Sequence, residues 1–264
     1  MDFSEAEIQR YSRHILLPEV GAEGQDRLRR SSVLVVGAGG LGSPVLLYLA
    51  AAGVGTVGVV DGDTLELTNL QRQIAHRTDA VGRNKAESAA DNARALNPEI
   101  TVRPHPERLT AANARTLLGA YDLVADGCDN FATRFLVNDA CWFTGTPLVS
   151  AAVVRFDGQL ATFRPDGRER PCYRCLYPAP PPAGQVPSCA EAGILGALAG
   201  VMGTLQATEV LKELLNTGDS MAGRLLIYDG LGTAFRTLKL PRDPGCPLCG
   251  DTPTYTDLGH HDHG

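Results

Sequence analysis

Residues 32–62 read SVLVVGAGGLGSPVLLYLAAAGVGTVGVVDG, and this stretch decides the fold. Val33 to Val36 form an apolar, largely β-branched run that enters Gly37-Ala-Gly39-Gly40-Leu-Gly42, and Leu41, Val45, Leu46 and Leu49 then recur at helical spacing. The pattern is strand, glycine turn, helix. A second apolar run, Val57 to Val60, ends on Asp61, near the ~20-residue offset at which dinucleotide-binding units place the acid that holds a ribose hydroxyl. One glycine is expected to permit the turn, one to let backbone N–H groups approach phosphate oxygens, and one to let helix and strand pack closely. The helix N-terminus then faces an anion. Taken alone, G-x-G-x-x-G also fits a turn that binds nothing. Gly42 is followed by Ser43-Pro44 rather than Lys-Ser or Lys-Thr, so a lysine for phosphates must come from elsewhere.

The rest of the chain fits an α/β enzyme-sized unit. Its 264 residues can bury a full core as one domain with an elaborated second half. A net charge of −6 argues against general nucleic-acid binding, and 44% hydrophobic residues is ordinary for a globular chain. The start, MDFSEAEIQRYSR, lacks the apolar core of a secretion signal, which predicts a cytoplasmic protein. The most apolar segment, Gly193 to Leu205, stops at Gln206 and Glu209, short of the ~20 residues of a membrane span, and reads as a buried helix.

Outward from the glycine turn, Ser4-x-x-Glu7 predicts a capped helix over residues 4–16 carrying Arg10 and Arg13. After Asp61 comes a polar loop through Thr68-Asn69-Leu70-Gln71-Arg72, where such architectures place function. Gly82-Arg-Asn-Lys85 opens a helix ended by Asn97-Pro98. Lys85 thus stands in a first turn, a poor place for a cation unless an anion binds beside it; a solvated lysine is the other reading. Tyr121 to Ala125 predicts a buried strand leading to Asp129 and Asn130. Asp129 fits either a helix N-cap or a Mg²⁺ ligand at a strand's carboxyl end. Pro147 to Val154 and Gln159 to Phe163 predict strands, with Asp157-Gly158 as the turn between them. The sheet is therefore expected to be parallel first and antiparallel later.

Cys172-Tyr-Arg-Cys175 and Cys246-Pro-Leu-Cys249 supply four of the seven cysteines. Two C-x-x-C knuckles can supply a saturated tetrahedral thiolate set for structural zinc, which would clip residues near 246 to residues near 172; unligated thiols or a redox C-x-x-C are the alternatives, and the duplicated pair counts against both. Between them runs Pro178-Ala-Pro-Pro-Pro-Ala-Gly184, a stiff segment without packing pattern, followed by Cys189 just ahead of a helix. Cys128 and Cys141 read as small core residues. Gly196, Gly200 and Gly203 predict close helix or subunit contact along the helix over 193–215. The tail Gly259-His-His-Asp-His263 reads as a solvated terminus, with adventitious metal binding the alternative.

Together, Arg10-Tyr-Ser-Arg13, GAGGLGS, VVDGD, Thr68-Asn-Leu-Gln-Arg72, GRNKAE around Lys85, DGCDNFATRFLVN, the two knuckles and CAEAG at Cys189 resemble the MoeB/ThiF/HesA adenylyltransferases, relatives of ubiquitin-activating enzyme. The resemblance runs from about residue 5 to residue 250. It implies a Rossmann-like, mostly parallel sheet that continues into antiparallel strands and carries the Cys₄ zinc site. The implied layout is one adenylation domain over 1–250, comprising a helical arm (4–30), a nucleotide-binding core (31–155) and a carrier-binding, zinc-stapled half (156–250). A flexible tail, 251–264, follows.

The implied activity is ATP-dependent adenylation of the C-terminal Gly-Gly carboxylate of a ubiquitin-fold sulfur carrier, of the kind serving molybdopterin or thiamin synthesis, with release of pyrophosphate. By resemblance, Gly39, Gly40, Leu70, Gln71 and Asn130 line the ATP site, Asp61 binds the ribose, Asn69, Arg72 and Lys85 contact the phosphates, and Asp129 holds Mg²⁺. Arg13 is implied to act across a homodimer, and Cys189 matches a position that in some members forms a persulfide or acyl-disulfide link. The chain ends soon after Cys249, which leads to the expectation of a separate sulfur donor, such as a cysteine desulfurase or rhodanese. An NAD-dependent dehydrogenase or a non-catalytic carrier-binding module are the rival readings; the first leaves Arg72, Lys85 and Asp129 unexplained.

Overall fold

In the computed structural model, which describes residues 2–167, 170–182 and 193–261, the first strand is the middle of everything. Strand β1 (Ser32–Val36) pairs in parallel with β2 (Thr56–Val60) on one side and β4 (Leu123–Asp126) on the other. Its side chains alternate as the pleat requires. Val33 and Val35 join one hydrophobic cluster, Leu34 and Val36 another. Because both faces are covered, the run is continuously apolar rather than alternating with polar residues.

The full sheet has the order β3-β2-β1-β4-β5-β6-β7-β8, where β3 is Thr101–His105, β5 Leu148–Val154, β6 Asp157–Phe163, β7 Arg224–Asp229 and β8 Ala234–Lys239. Pairings are parallel through β5 and antiparallel from β5·β6 onward. The change from parallel to antiparallel is the one expected, but the hairpin turn is not. Val154 pairs with Asp157, so Arg155 and Phe156 make the turn, with Arg155 at φ 54°, while Asp157 and Gly158 belong to β6. A side chain on Gly158 would stand 2.5 Å from the buried Met202 sulfur; close packing, not turn geometry, requires glycine there.

Helices α3 (Gly42–Ala52), α4 (Lys85–Leu96) and α8 (Gly196–Leu215) cover one face of the sheet, and α5 (Ala111–Leu118) and α6 (Phe131–Thr144) the other, with the short α7 (Tyr173–Leu176) packed beside α6. The expected close contact of α8 occurs at Gly203, where a Cβ would lie 2.4 Å from Pro44 and 2.6 Å from the Leu41 carbonyl of α3's entry, whereas Gly200 meets nothing. At the amino end, Ser4 and Glu7 form the expected capping box on α1 (Glu5–Ile15), followed by α2 (Gly21–Arg30). Among the described residues no helix is long and apolar enough to cross a membrane.

The carboxyl-terminal stretch departs from the expectation of a solvated tail. Leu258 is buried, and His260 and His261 both reach the fully buried Asp139 of α6. The stretch is held there by Leu258 packed in the core and by both imidazole Nε2 atoms lying 2.8 Å from the Asp139 Oδ2.

Candidate active site

The glycine turn divides its labour as the spacing predicts. Gly37 has φ +86°, a left-handed conformation that suits glycine. A Cβ on Gly42 would stand 1.7 Å from the Gly37 carbonyl, so only glycine lets α3 start this close to β1. Gly39 is open toward a cleft, its nearest neighbour the Gln73 amide at 3.7 Å from where a Cβ would be.

That cleft, about 1070 Å³, opens at the carboxyl ends of β1, β2 and β4, where the sheet's strand order reverses and where doubly wound sheets bind ligands. Gly39, Gly40, Asp61, Arg72, Lys85, Asp129 and Asn130, drawn from five separate segments, all line it. Its apolar far end reaches Val153, Tyr177, Ala179 and Pro181.

Asp61 directly follows β2 and is fixed from two sides. The Ala38 N–H donates to its Oδ2 and the Asp63 N–H to its Oδ1, each at 2.8 Å. Burial pushes its pKa up, with those two donors and Lys85 pulling against it. Lys85 is the first residue of α4, whose N-cap is Asn84, and is buried with its Nζ 3.3 Å from Asp63 Oδ2. Asp63 also takes Arg108, at 3.0 Å. The lysine therefore has an exposed carboxylate as its counter-ion, at the mouth of an anion-sized space. Sequence reasoning missed Asp63; its position two residues after the ribose-type acid was the available signal.

Asp129 is exposed in the cleft, and the helix it was a candidate to cap is capped instead by Asn130, whose Oδ1 accepts from the Thr133 N–H at 2.8 Å. The cap reading of Asp129 is thereby corrected, and its carboxylate faces the cleft. Beneath it lies a pair the sequence did not reveal. Buried Asp126 accepts from the Cys128 N–H and from Ser150 Oγ and pairs with Arg134 at 3.2 Å; Arg134 donates to the carbonyls of Cys128 and Ala151. Burial alone would depress the guanidinium's pKa, but the adjoining carboxylate raises it, so Arg134 stays charged.

Asn69, Leu70 and Gln71 do not line the cleft. Asn69 is buried, with its Oδ1 accepting from the Glu66 N–H, and its carbonyl accepts from the Arg72 and Gln73 N–H groups. It shapes the turn that aims Arg72. Gln71 packs its carbonyl on Gly196, where a Cβ would come within 2.3 Å. Arg13 is exposed on α1, whose Tyr11 packs against Gly53 at the far end of α3, so it stands away from its own cleft. Cys189 lies outside the described residues.

The two C-x-x-C knuckles meet. Cys172, Cys175, Cys246 and Cys249 place their sulfurs within 4.8 Å of one another, with Cys172···Cys246 at 3.6 Å and Cys175···Cys249 at 3.3 Å. A tetrahedron of Zn–S bonds of ~2.3 Å has edges of ~3.8 Å, so the donor set fits zinc. Backbone N–H groups of Asp243 and Cys249 point at the Cys175 and Cys246 sulfurs, as thiolates require. The Cys175 thiol is held at about 7, chiefly by its hydrogen bond to Cys172. Leu248, Trp142, Phe143 and Tyr255 pack around the cluster. Cys128 and Cys141 are buried core residues.

Sheet order, glycine turn and cleft define a Rossmann-type nucleotide-binding protein with a cation-lined pocket. The ThiF family pattern matches residues 11–248. The chain is 54% identical over 261 residues to a sulfur carrier protein adenylyltransferase of Thermus thermophilus, covering 98% of this chain and 96% of that one. It is 51% identical over 245 residues to the SAMP-activating enzyme E1 of Haloferax volcanii, covering 93% and 90%. A crystal structure of E. coli MccB with MccA-N7isoASN shares the fold, with a TM-score of 0.79 at 23% identity over 95% of this chain and 76% of that one. The chain belongs to the ThiF family.

Proposed function

We propose that the protein is an ATP-dependent adenylyltransferase that activates the C-terminal Gly-Gly carboxylate of a ubiquitin-fold sulfur carrier as an acyl-adenylate, releasing pyrophosphate. The observation that carries the reading is the convergence of Asp61, Lys85, Arg72 and Asp129 on one cleft around the open face of the glycine turn. A relative named as a sulfur carrier protein adenylyltransferase, matched over nearly the whole chain, supports the carrier as substrate.

The reaction brings a carboxylate to the α-phosphate of ATP, anion against anion, so positioning and charge neutralisation must do most of the catalysis. Asp61, pre-set by two backbone donors, accepts from the ribose hydroxyls. Gly39 and Gly40 leave room for phosphate against the backbone. Lys85 exchanges Asp63 for the triphosphate, and Arg72 supplies a second cation. Asn69, Leu70 and Gln71 act through the turn that aims Arg72. Asp129 holds Mg²⁺, which supplies charge neutralisation on the phosphates. Asn130 holds α6 so that Asp129 faces the cleft. The Cys₄ set holds zinc as a staple, since a saturated thiolate shell offers no open position.

The same reading assigns the arm 4–30, the core 31–155 and the zinc-stapled half 156–250 to one adenylation unit. It also makes the working form a cytoplasmic homodimer with Arg13 acting in trans, Cys189 a candidate link to the carrier, and sulfur the contribution of a separate donor protein. Radiolabelled pyrophosphate exchange into ATP, with and without a panel of Gly-Gly-ended ubiquitin-fold carriers, tests it. Exchange that requires a carrier is the expected result; none with any carrier, from folded protein, refutes the activity.

A further inference from the structure

Asp139, His260 and His261 form a cluster outside the lining of the nucleotide cleft that the proposed reaction does not use. The Nε2 atoms of both histidines lie 2.8 Å from the same oxygen, Asp139 Oδ2. Arg174 already occupies that carboxylate in a bidentate fork, Nη2 at 2.6 Å from Oδ2 and Nε at 2.8 Å from Oδ1, and Asn138 donates to Oδ1 as well. Oδ2 thus faces three groups with two lone pairs to offer. The conflict sharpens at His260, whose Nε2 also lies 3.3 Å from Arg174 Nη2. If that nitrogen carries a proton, it opposes the arginine N–H; if it does not, it opposes the carboxylate. Hydrogen bonding alone leaves one of these close contacts unfavourable.

We infer that Asp139, His260 and His261 form a second metal site, for a borderline divalent cation of the zinc class. A cation resolves the conflict because it takes the Nε2 lone pairs of both rings and a lone pair of Oδ2 together. Two imidazoles and a carboxylate are a ligand set that zinc and cobalt favour. The three ligand atoms already lie within 4.8 Å of one another, and spreading them by ~0.5 Å would admit bonds of about 2.0–2.1 Å.

The surroundings supply what a metal site needs. Asp139 is fully buried on α6, and the two rings are half-buried. His260 stacks flat on Tyr255, ring centroids 3.9 Å apart, which fixes its plane. Arg174 orients the carboxylate, as partners behind a ligand do. Charge balance also favours a cation, on the zinc reading of the knuckles: four thiolates around Zn²⁺ leave two negative charges beside Arg174, which sits between Cys172 and Cys175. Asp139 offsets Arg174, so a divalent ion brings the region to neutrality. The site would fasten the chain's end to α6, next to the first staple.

The test adds Co²⁺ to the full-length protein with its cysteine site loaded with zinc. A second equivalent is expected to bind, giving d–d absorption without thiolate charge-transfer bands, and to be lost in the folded variants His260→Gln/His261→Gln and Asp139→Asn. Should Asp139→Asn fail to fold, X-ray absorption of the wild-type second site decides, with two imidazoles and a carboxylate expected. No second equivalent, unchanged binding by either folded variant, or a shell without the carboxylate would overturn the inference, the last two meaning adventitious binding by tail histidines.

Discussion

Asp126 at the end of β4 and Arg134 on α6 are paired at 3.2 Å with both side chains almost wholly out of water, directly beneath the loop that presents Asp129. Such a pair contributes little net stability compared with a well-packed apolar one, but removing one partner strands the other charge. Arg134→Met should therefore cost about 3–5 kcal/mol in denaturant unfolding, with Asp126 left buried and unpaired. Asp126→Asn combined with Arg134→Met should recover part of that loss. A single-variant cost under about 1 kcal/mol would mean that water reaches the pair.

His76 gives the protein a pH dependence of known sign. It is buried behind the glycine turn, Nε2 2.8 Å from the Ala38 carbonyl and Nδ1 3.0 Å from Ser88 Oγ. Burial lowers its pKa below the ordinary value of 6.5, with the Ala38 carbonyl opposing. The neutral ring fits both partners, Nε2–H donating to Ala38 and Nδ1 accepting from Ser88. The unfolded chain takes up this proton first, so the contribution is complete above pH 6.5 and falls as pH drops from there toward the depressed folded value. Melting curves between pH 7.5 and pH 5 should show the loss, and His76→Gln should flatten that part of the profile. An identical slope in both proteins would assign the acid sensitivity to other groups.

Much of this was legible because it rests on periodicity and spacing. The run from Val33 to Val36, Gly37 through Gly42 and Asp61 have one sensible arrangement, and the two knuckles announce each other by their spacing. What stayed hidden depends on which residues meet in space. Nothing in the sequence pairs Asp126 with Arg134, Asp63 with Lys85, or Asp139 with His260 and His261, since each pairing crosses from one element to another. The β5–β6 turn went astray because Asp157-Gly158 looks like turn chemistry, while its glycine is there to pass Met202. Asp129 looks like a cap in the sequence, but the backbone enters α6 one residue later and Asn130 takes that position.

Losing the cysteine staple should loosen the carboxyl-terminal region before the nucleotide core. Cys246 is joined to the body through sulfurs on the far side of a 70-residue excursion, and Leu248, Tyr255 and Leu258 pack behind it. Cys246→Ser, or chelation, should release zinc and lower stability by about 2–4 kcal/mol, the typical worth of a cross-link, or roughly 4–16 °C in Tm for a chain of this size. Limited proteolysis should then cut beyond β8 first, with ATP binding retained. An unchanged melting curve after complete zinc loss would remove the staple.

Arg13 offers a test of the proposed homodimer. Within one protomer it projects from α1 beside the carboxyl end of α3, while the cleft sits at that helix's amino end, and the 11 residues of α3 span about 16 Å. An arginine so placed serves a neighbour's triphosphate or none. Arg13→Ala and Arg72→Ala should each depress carrier-dependent pyrophosphate exchange, by about 10²-fold or more if each cation meets the developing charge. If Arg13 acts in trans, mixed dimers hold one site carrying both defects and one site carrying neither, so exchange should return toward half the wild-type rate per heterodimer. Mixtures as inactive as their parents, with subunit exchange demonstrated by mass spectrometry, would rule out action in trans.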